Sequence, residues 1–485
     1  MKHEKLNEAL NHLDDKHICH ADRQRKRRPL GWIAPVAAVL ALAILLSSLF
    51  PGRNSLPGAQ TDPAYTSTDS HLELLVAQPA YPKLTPYPGE ENYKAHSTWW
   101  QEQRELHDQP VGYADNLTGY FGSLICRVLT QGEQENVTCS PLSLYMALAM
   151  LAETAGGESR QQLLDLLRAE DLEALRTQAQ HIWKGQYNND GLSTSILATS
   201  LWLDDACLYN EETADCLADN YFASVFRSDL GSEESTQALR DWLNEQTGGL
   251  LQEQAGKLKL DPATIMTLAS TVFYQAQWQD EFFPEQNAQG TFHGAAGNTE
   301  ETFMNRKLQD TPYYQGDGFG AVYLNLKDYG RMWLILPDEG YTPAQVTEAV
   351  TAFFAADPTN YDAPWANQKN AIINLSMPKF DVSSDMDLAD LIQSMGVTDI
   401  FDSHSADFSP LFPQANGAFV SQIKHATRVA VDEKGVTAAA FTTILLCGGA
   451  AVPTEEIDFV LDRPFLFYIE SQDQLPMFTG IVNEP

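Results

Sequence analysis

Between Val436 and Cys447 the sequence reads Val-Thr-Ala-Ala-Ala-Phe-Thr-Thr-Ile-Leu-Leu-Cys, with no proline, glycine or charged residue. An apolar run of this kind is normally a buried sheet strand or an aggregation hazard. If it is extended, one face carries Val436, Ala438, Ala440, Thr442, Ile444 and Leu446, and the other Thr437, Ala439, Phe441, Thr443, Leu445 and Cys447. Neither face is strongly polar. Gly435 supplies a flexible entry, and Gly448, Gly449 and Pro453 break the run. Taken alone, these residues describe an ordinary core strand.

The flanks change that reading. Glu433-Lys-Gly-Val-Thr-Ala-Ala-Ala440, a variable tail, and then Asp462-Arg-Pro-Phe-Leu-Phe467 resemble the hinge, reactive loop and following strand of a serpin. In that family the loop is exposed as bait for a protease and, once cut, inserts into the middle of a β-sheet. The resemblance implies a hinge made of Glu433, Gly435, Val436, Thr437, Ala438, Ala439 and Ala440. It also implies a mixed α/β fold of three β-sheets surrounded by about eight or nine helices, with the loop exposed.

Further matches follow in the family's order. Asn136-Val-Thr-Cys-Ser-Pro-Leu-Ser143 reads as a short strand turning into a helix capped near Ser140, with Pro141 in its first turn. It resembles the segment that places Asn136, Ser140 and Ser143 beneath the sheet opening. Trp242-Leu-Asn-Glu-Gln-Thr-Gly-Gly249 comes next, then Ser270-Thr-Val-Phe-Tyr-Gln-Ala-Gln-Trp278, where Trp278 matches the tryptophan at the top of the sheet. Phe303-Met304, Leu336-Pro-Asp-Glu-Gly340, Met377-Pro-Lys-Phe380, His425 and Phe478-Thr-Gly-Ile-Val-Asn483 complete the series. Ser270 departs from the pattern, because the family usually has there an asparagine that bonds to the histidine matched by His425. Serine has a shorter reach, so this polar cluster must be satisfied differently. On its own residues, His425 in the alternating stretch Lys424–Val431 reads as a hydrogen-bonded core histidine without catalytic duty.

The resemblance implies suicide inhibition of a serine protease. The protease cuts the loop, remains attached as an acyl-enzyme, and is dragged as the loop inserts; about 14 residues at ~3.3 Å each displace it on the order of 45 Å. Val436 enters first, and a charge there would stall insertion. Counting Glu433 as the first of 17 positions puts the reactive bond at Gly449-Ala450. Cys447, Gly448, Gly449, Ala450, Ala451 and Val452 are small residues, which suits a protease with a shallow, elastase-like pocket. The alternative is a protein of the same fold that binds or carries a ligand without inhibiting.

The N-terminal residues add a membrane. Residues 1–28 end in Arg-Gln-Arg-Lys-Arg-Arg, and Leu30–Phe50 contains no charge over 21 residues, enough to cross a bilayer core. The basic side stays inside. The expected organisation is therefore a cytoplasmic tail (1–28), a transmembrane anchor (29–50), an extended Pro/Ser/Thr-rich spacer (51–110) and an extracellular serpin domain (111–485). A cleaved signal peptide is the rival, and it would release the domain. Beyond residue 28 there are 23 Lys/Arg against 60 Asp/Glu, near −37, which argues against nucleic acid as a partner.

Signs of catalysis are missing: there is no Gly-x-Ser-x-Gly, no His-Glu-x-x-His, no phosphate-cradling glycine loop and no Cys-x-x-Cys. Neither an enzyme nor a metal or other cofactor is expected, since His17-Ile-Cys-His20 falls short of a four-ligand site. The six cysteines form no framework, although Cys207 and Cys216 could pair across a turn. The expected partner is an elastase-like serine protease, held covalently by a monomer.

Overall fold

A computed structural model describes residues 69–89, 92–132, 134–261, 264–355, 368–414, 417–436 and 455–485. The predicted anchor and tail, hinge positions Thr437 to Ala440 and the Gly449-Ala450 bond lie outside these residues. Among the described residues no helix is long and apolar enough to cross a membrane.

In chain order the elements begin with β1 (Leu75–Ala77), α1 (Tyr93–Leu106), α2 (Thr118–Leu129), β2 (Val137–Cys139), α3 (Pro141–Thr154), α4 (Gly157–Leu166) and α5 (Leu172–Gln186). There follow β3 (Asn188–Asn189), β4 (Thr194–Asp204), α6 (Glu211–Asn220), β5 (Ala223–Ser228), α7 (Glu233–Gln246), α8 (Gln252–Lys257) and β6 (Met266–Gln277). Next are β7 (Ala288–Gly294), β8 (Gly297–Gln315), β9 (Phe319–Asn325), β10 (Arg331–Pro337), α9 (Pro343–Ala355), β11 (Gln368–Pro378) and β12 (Phe380–Asp387). The last are α10 (Ala389–Ser394), β13 (Lys424–Val431), β14 (Gly435–Val436), β15 (Glu456–Val460), β16 (Phe465–Glu470) and β17 (Pro476–Val482).

Two sheets form among these residues, not the three expected. One has eight strands in the order β1-β5-β4-β6-β14-β13-β12, with β3 against β4; the other has nine, β15-β11-β8-β9-β10-β16-β17-β2, with β7 against β8. The count falls because β8 is long: most of it pairs with β7 and β11, while its last two residues, Tyr314 and Gln315, pair with Ala321 and Gly320 of β9. That short ladder fuses two sets of strands into one sheet. Every residue of β16 and β17 is buried, as expected for strands covered on both faces. Ten α-helices occur among the described residues.

Helix α3 forms as its residues dictate. Ser140 is the N-cap, its side chain accepting from the Ser143 amide, and Pro141 occupies the first turn, where it lacks no needed donor. Nearly all of α3 is buried, so it runs through the core under the eight-stranded sheet.

The segment expected as an extended spacer is described from residue 69, and there it is not extended throughout. Leu75–Ala77 adds a strand to β5, Asn92 caps α1, and Tyr81 packs at a tilt against Trp183 with ring centroids 4.9 Å apart. Its order comes from contacts with the body, which local periodicity does not report.

Candidate functional site: the cleft between β6 and β13

Strand β4 pairs with β6 along ten consecutive residues, and β12 with β13 along eight. Among the described residues β6 and β13 do not pair with each other, and β14 is the strand between them. Gly435 sits opposite Gln277 and Val436 opposite Ala276 on one side, and Val436 faces Val431 on the other. Val436 is 3 % exposed, so it already occupies the buried position that an inserting strand would take first.

The top of the cleft is held by several bonds. Trp278 Nε1 donates to Asp432 O at 2.9 Å, the Trp278 amide to Lys434 O at 2.9 Å and the Phe282 amide to Glu433 O at 2.9 Å. Asp432 Oδ1 accepts from the Lys434 and Gly435 amides, closing the turn between β13 and β14. The Glu433 carboxylate accepts from Asn287 Nδ2 at 2.6 Å and pairs with Lys379 Nζ at 2.5 Å. Burial raises the pKa of that carboxyl, but the bonds from Lys379 and Asn287 outweigh it and leave it below the ordinary value. A Cβ on Gly435 would run into Ala276 O and lie 2.7 Å from Gln277 Cα, which explains the glycine.

The middle of the cleft is built differently. Ser270 Oγ on β6 donates to Ser143 O at 2.9 Å and lies 3.1 Å from Ser143 Oγ. His425 on β13 turns to the same helix turn, its Nε2 accepting from the Ser140 amide at 3.0 Å. Burial pulls this imidazole down to about 4, so at neutral pH it is uncharged and can accept. Thr427 Oγ1 donates to Thr138 O at 2.8 Å and the Thr138 amide to Ser384 Oγ at 2.8 Å, tying the β12–β13 block to β2. Each block is thus fastened to the segment beneath, from Thr138 to Ser143, and not to the other block.

Ser140, Ser143, Ser270 and His425 therefore come together, and Trp278 stands with Glu433 and Gly435 at the top. Asn136 does not join them. Its Oδ1 accepts from the Asn483 and Glu484 amides, and its Nδ2 donates to Glu484 O at 2.6 Å, so it fastens the C-terminus, and the residues after Ile481 are not idle. Lys379 and Asn287, which hold Glu433, were not picked out from the sequence; only the lysine of Met377-Pro-Lys-Phe380 lay in a recognised motif. Cys126, Cys139, Cys207 and Cys216 are free thiols, so Cys207 and Cys216 do not pair. Among the described residues no group of three or more His, Cys, Asp and Glu side chains is arranged to hold a metal ion.

Known proteins agree with this architecture. Plasminogen activator inhibitor 1 of Bos taurus is 28 % identical over 396 residues, covering 78 % of this chain and 94 % of its own. The native state of tengpin, a thermophilic serpin, superposes with a TM-score of 0.66 at 23 % identity, covering 84 % of this chain and 97 % of tengpin. Human thyroxine-binding globulin complexed with its hormone gives 0.66 at 21 % identity, over 78 % of this chain and 99 % of the globulin. The family model described as serpin (serine protease inhibitor) matches residues 118–485, more than half of the sequence, and the chain belongs to the serpin family.

Proposed function

We propose that this serpin traps a serine protease of elastase-like preference by inserting its cut loop between β6 and β13, and that the residue 29–50 segment tethers it to a membrane with the domain outside. One observation carries the reading: Gly435 and Val436 are seated as the first two residues of a strand whose continuation is the loop itself. Extending their register sets Thr437 beside Gln275, Thr442 between Ser270 and His425, and Leu446 beside Met266. Val436, Ala438, Ala440, Thr442, Ile444 and Leu446 would then face the core, and bulky Phe441 would face outward. Along the length of β6, from Gln277 to Met266, about 12 loop residues would pair, a displacement on the order of 40 Å.

Insertion is favourable because it completes a sheet and buries an apolar face. The step begins when the protease's serine attacks the Gly449 carbonyl and the Ala450 amine leaves, freeing the loop's new end. The small residues around that bond support the elastase-like preference.

Mixing the chain with pancreatic or neutrophil elastase tests this on a denaturing gel. A band at the summed mass that survives SDS, with a released peptide starting at Ala450, is the expected result. Clean cleavage with full protease activity and no such band, repeated across trypsin- and chymotrypsin-like enzymes, would hand the function to a non-inhibitory binding protein.

A further inference from the structure

Away from the cleft, a cavity of about 60 Å3 opens where α1 packs over the start of β4 and the end of β6. Among the described residues, four polar atoms on residues lining it have no hydrogen-bond partner: Trp99 Nε1, Asn188 Oδ1, Asp190 Oδ2 and Ser195 Oγ. Trp99, Asp190 and Ser195 are all more than nine-tenths buried. The other Asp190 oxygen is spoken for, accepting from the Leu192 and Ser193 amides at 2.9 and 3.1 Å. Asp328, also in the lining, is satisfied by Tyr274 Oη at 2.7 Å and the Gly330 amide at 3.0 Å. An unmade bond at a buried polar group is costly, and four around one cavity point to a guest.

The unmet groups define that guest. Trp99 Nε1 only donates, so it needs an acceptor; Asp190 Oδ2 and Asn188 Oδ1 need donors; Ser195 takes either. A metal ion would leave the indole unpaired. Sulfate or phosphate would face the buried Asp190 carboxylate. A hydroxyl both donates and accepts and meets the whole set. At the mouth, Trp100 and Tyr329 are 37 % and 61 % exposed with ring centroids 5.5 Å apart, a surface on which a ring can stack. The cavity has room for about four waters, so it takes one edge of a ring and leaves the face to the aromatic pair.

The geometry points to a binding site for a neutral, hydroxyl-rich ring, a sugar unit of a glycan, with its hydroxyl edge among Trp99, Asn188, Asp190 and Ser195 and its face on Trp100 and Tyr329. The site depends on α1, which lies outside residues 118–485 that match the family.

Titrating the purified full-length chain with cellohexaose, xylohexaose and mannohexaose, followed by tryptophan fluorescence and calorimetry, tests the assignment, with a heparin hexasaccharide as the charged control. Co-sedimentation with insoluble cellulose and with peptidoglycan separates a polymer surface from a free oligosaccharide as the source. Saturable binding of at least one neutral glycan is expected, weakened about tenfold by Trp100→Ala and by Tyr329→Ala, with both variants still folded and unfolding cooperatively. The assignment fails if no neutral glycan binds, if heparin alone binds, or if binding survives both substitutions.

Discussion

The two levels of the cleft between β6 and β13 are held in opposite ways. At the top, the turn from Asp432 to Gly435 is bonded to Trp278, Phe282, Asn287 and Lys379, so the two blocks are joined through β14. In the middle, Ser270 and His425 each bond to α3 or its cap, and among the described residues no ladder pairs the strands that carry them. A cleft pinned at one end and only anchored to its floor elsewhere is suited to filling from the pinned end downward. On the proposed insertion, the top sets where a strand starts and the middle sets how readily the blocks part.

The largest effect is expected at the seat of that start. Val436→Glu puts a carboxylate in a position that is 3 % exposed, with no partner to compensate, a penalty of several kcal/mol. The variant should lose the SDS-stable protease complex and be cleaved as a substrate. If it still traps protease as well as the parent does, insertion does not pass through this seat and the reading of the top is wrong.

Gly435→Ala tests the same level by shape. Its new methyl meets the backbone of Ala276 and Gln277, which cannot yield as a side chain end can. A cost of roughly 1–3 kcal/mol is expected from such overpacking, read as a lower urea midpoint. An unchanged midpoint would mean that β14 is not firmly docked.

Much of this was legible in the sequence, and the exceptions share a cause. The Ser140-Pro141 cap, the strand Lys424–Val431 and Trp278 at the sheet top could be read because each depends on local spacing or a motif. The serpin resemblance put Ser143, Ser270 and His425 in one place, and the short reach of Ser270 foretold that it would find another partner. What was missed depends on residues far apart in sequence: Lys379 and Asn287 reaching Glu433, and Asn136 holding the C-terminus. Helix α1 was hidden for the same reason, since only Trp99 and Gln103 of its fourteen residues are buried, too few to make an apolar stripe. The three-sheet expectation failed on two residues of β8, a join that no pattern announces.

The middle of the cleft can be loosened with acid. His425 titrates near 4 in the folded protein and near 6.5 unfolded, so the unfolded chain binds the proton first as pH falls. The stabilisation from the neutral ring is complete above pH ~6.5 and is lost progressively down to about 4. By pH ~5.5 the loss is about 1.4 kcal/mol. Between pH ~7.5 and ~5.5, the change in urea stability of the parent should be more unfavourable than that of His425→Asn by about this amount. Equal slopes in the two proteins would remove the histidine from the account.

The finest test offers β6 a bond toward His425 in place of the one Ser270 makes to Ser143. Ser270→Asn gives β6 a longer side chain with both a donor and an acceptor, able to reach across toward His425, where serine reaches only Ser143. Two effects oppose each other: the Ser270–Ser143 bonds are lost, and a bond between the blocks is gained. With each worth about 1 kcal/mol, equilibrium stability should hardly change. The rate of parting should change, because only the new bond must break before the blocks separate. Hydrogen exchange of the β6 and β13 amides that line the cleft should therefore be slower in the variant than in the parent at 37 °C, and adding His425→Asn should abolish the difference. Exchange as fast as in the parent would show that the middle of the cleft does not limit opening, leaving the bonds around Glu433 and Trp278 to control it.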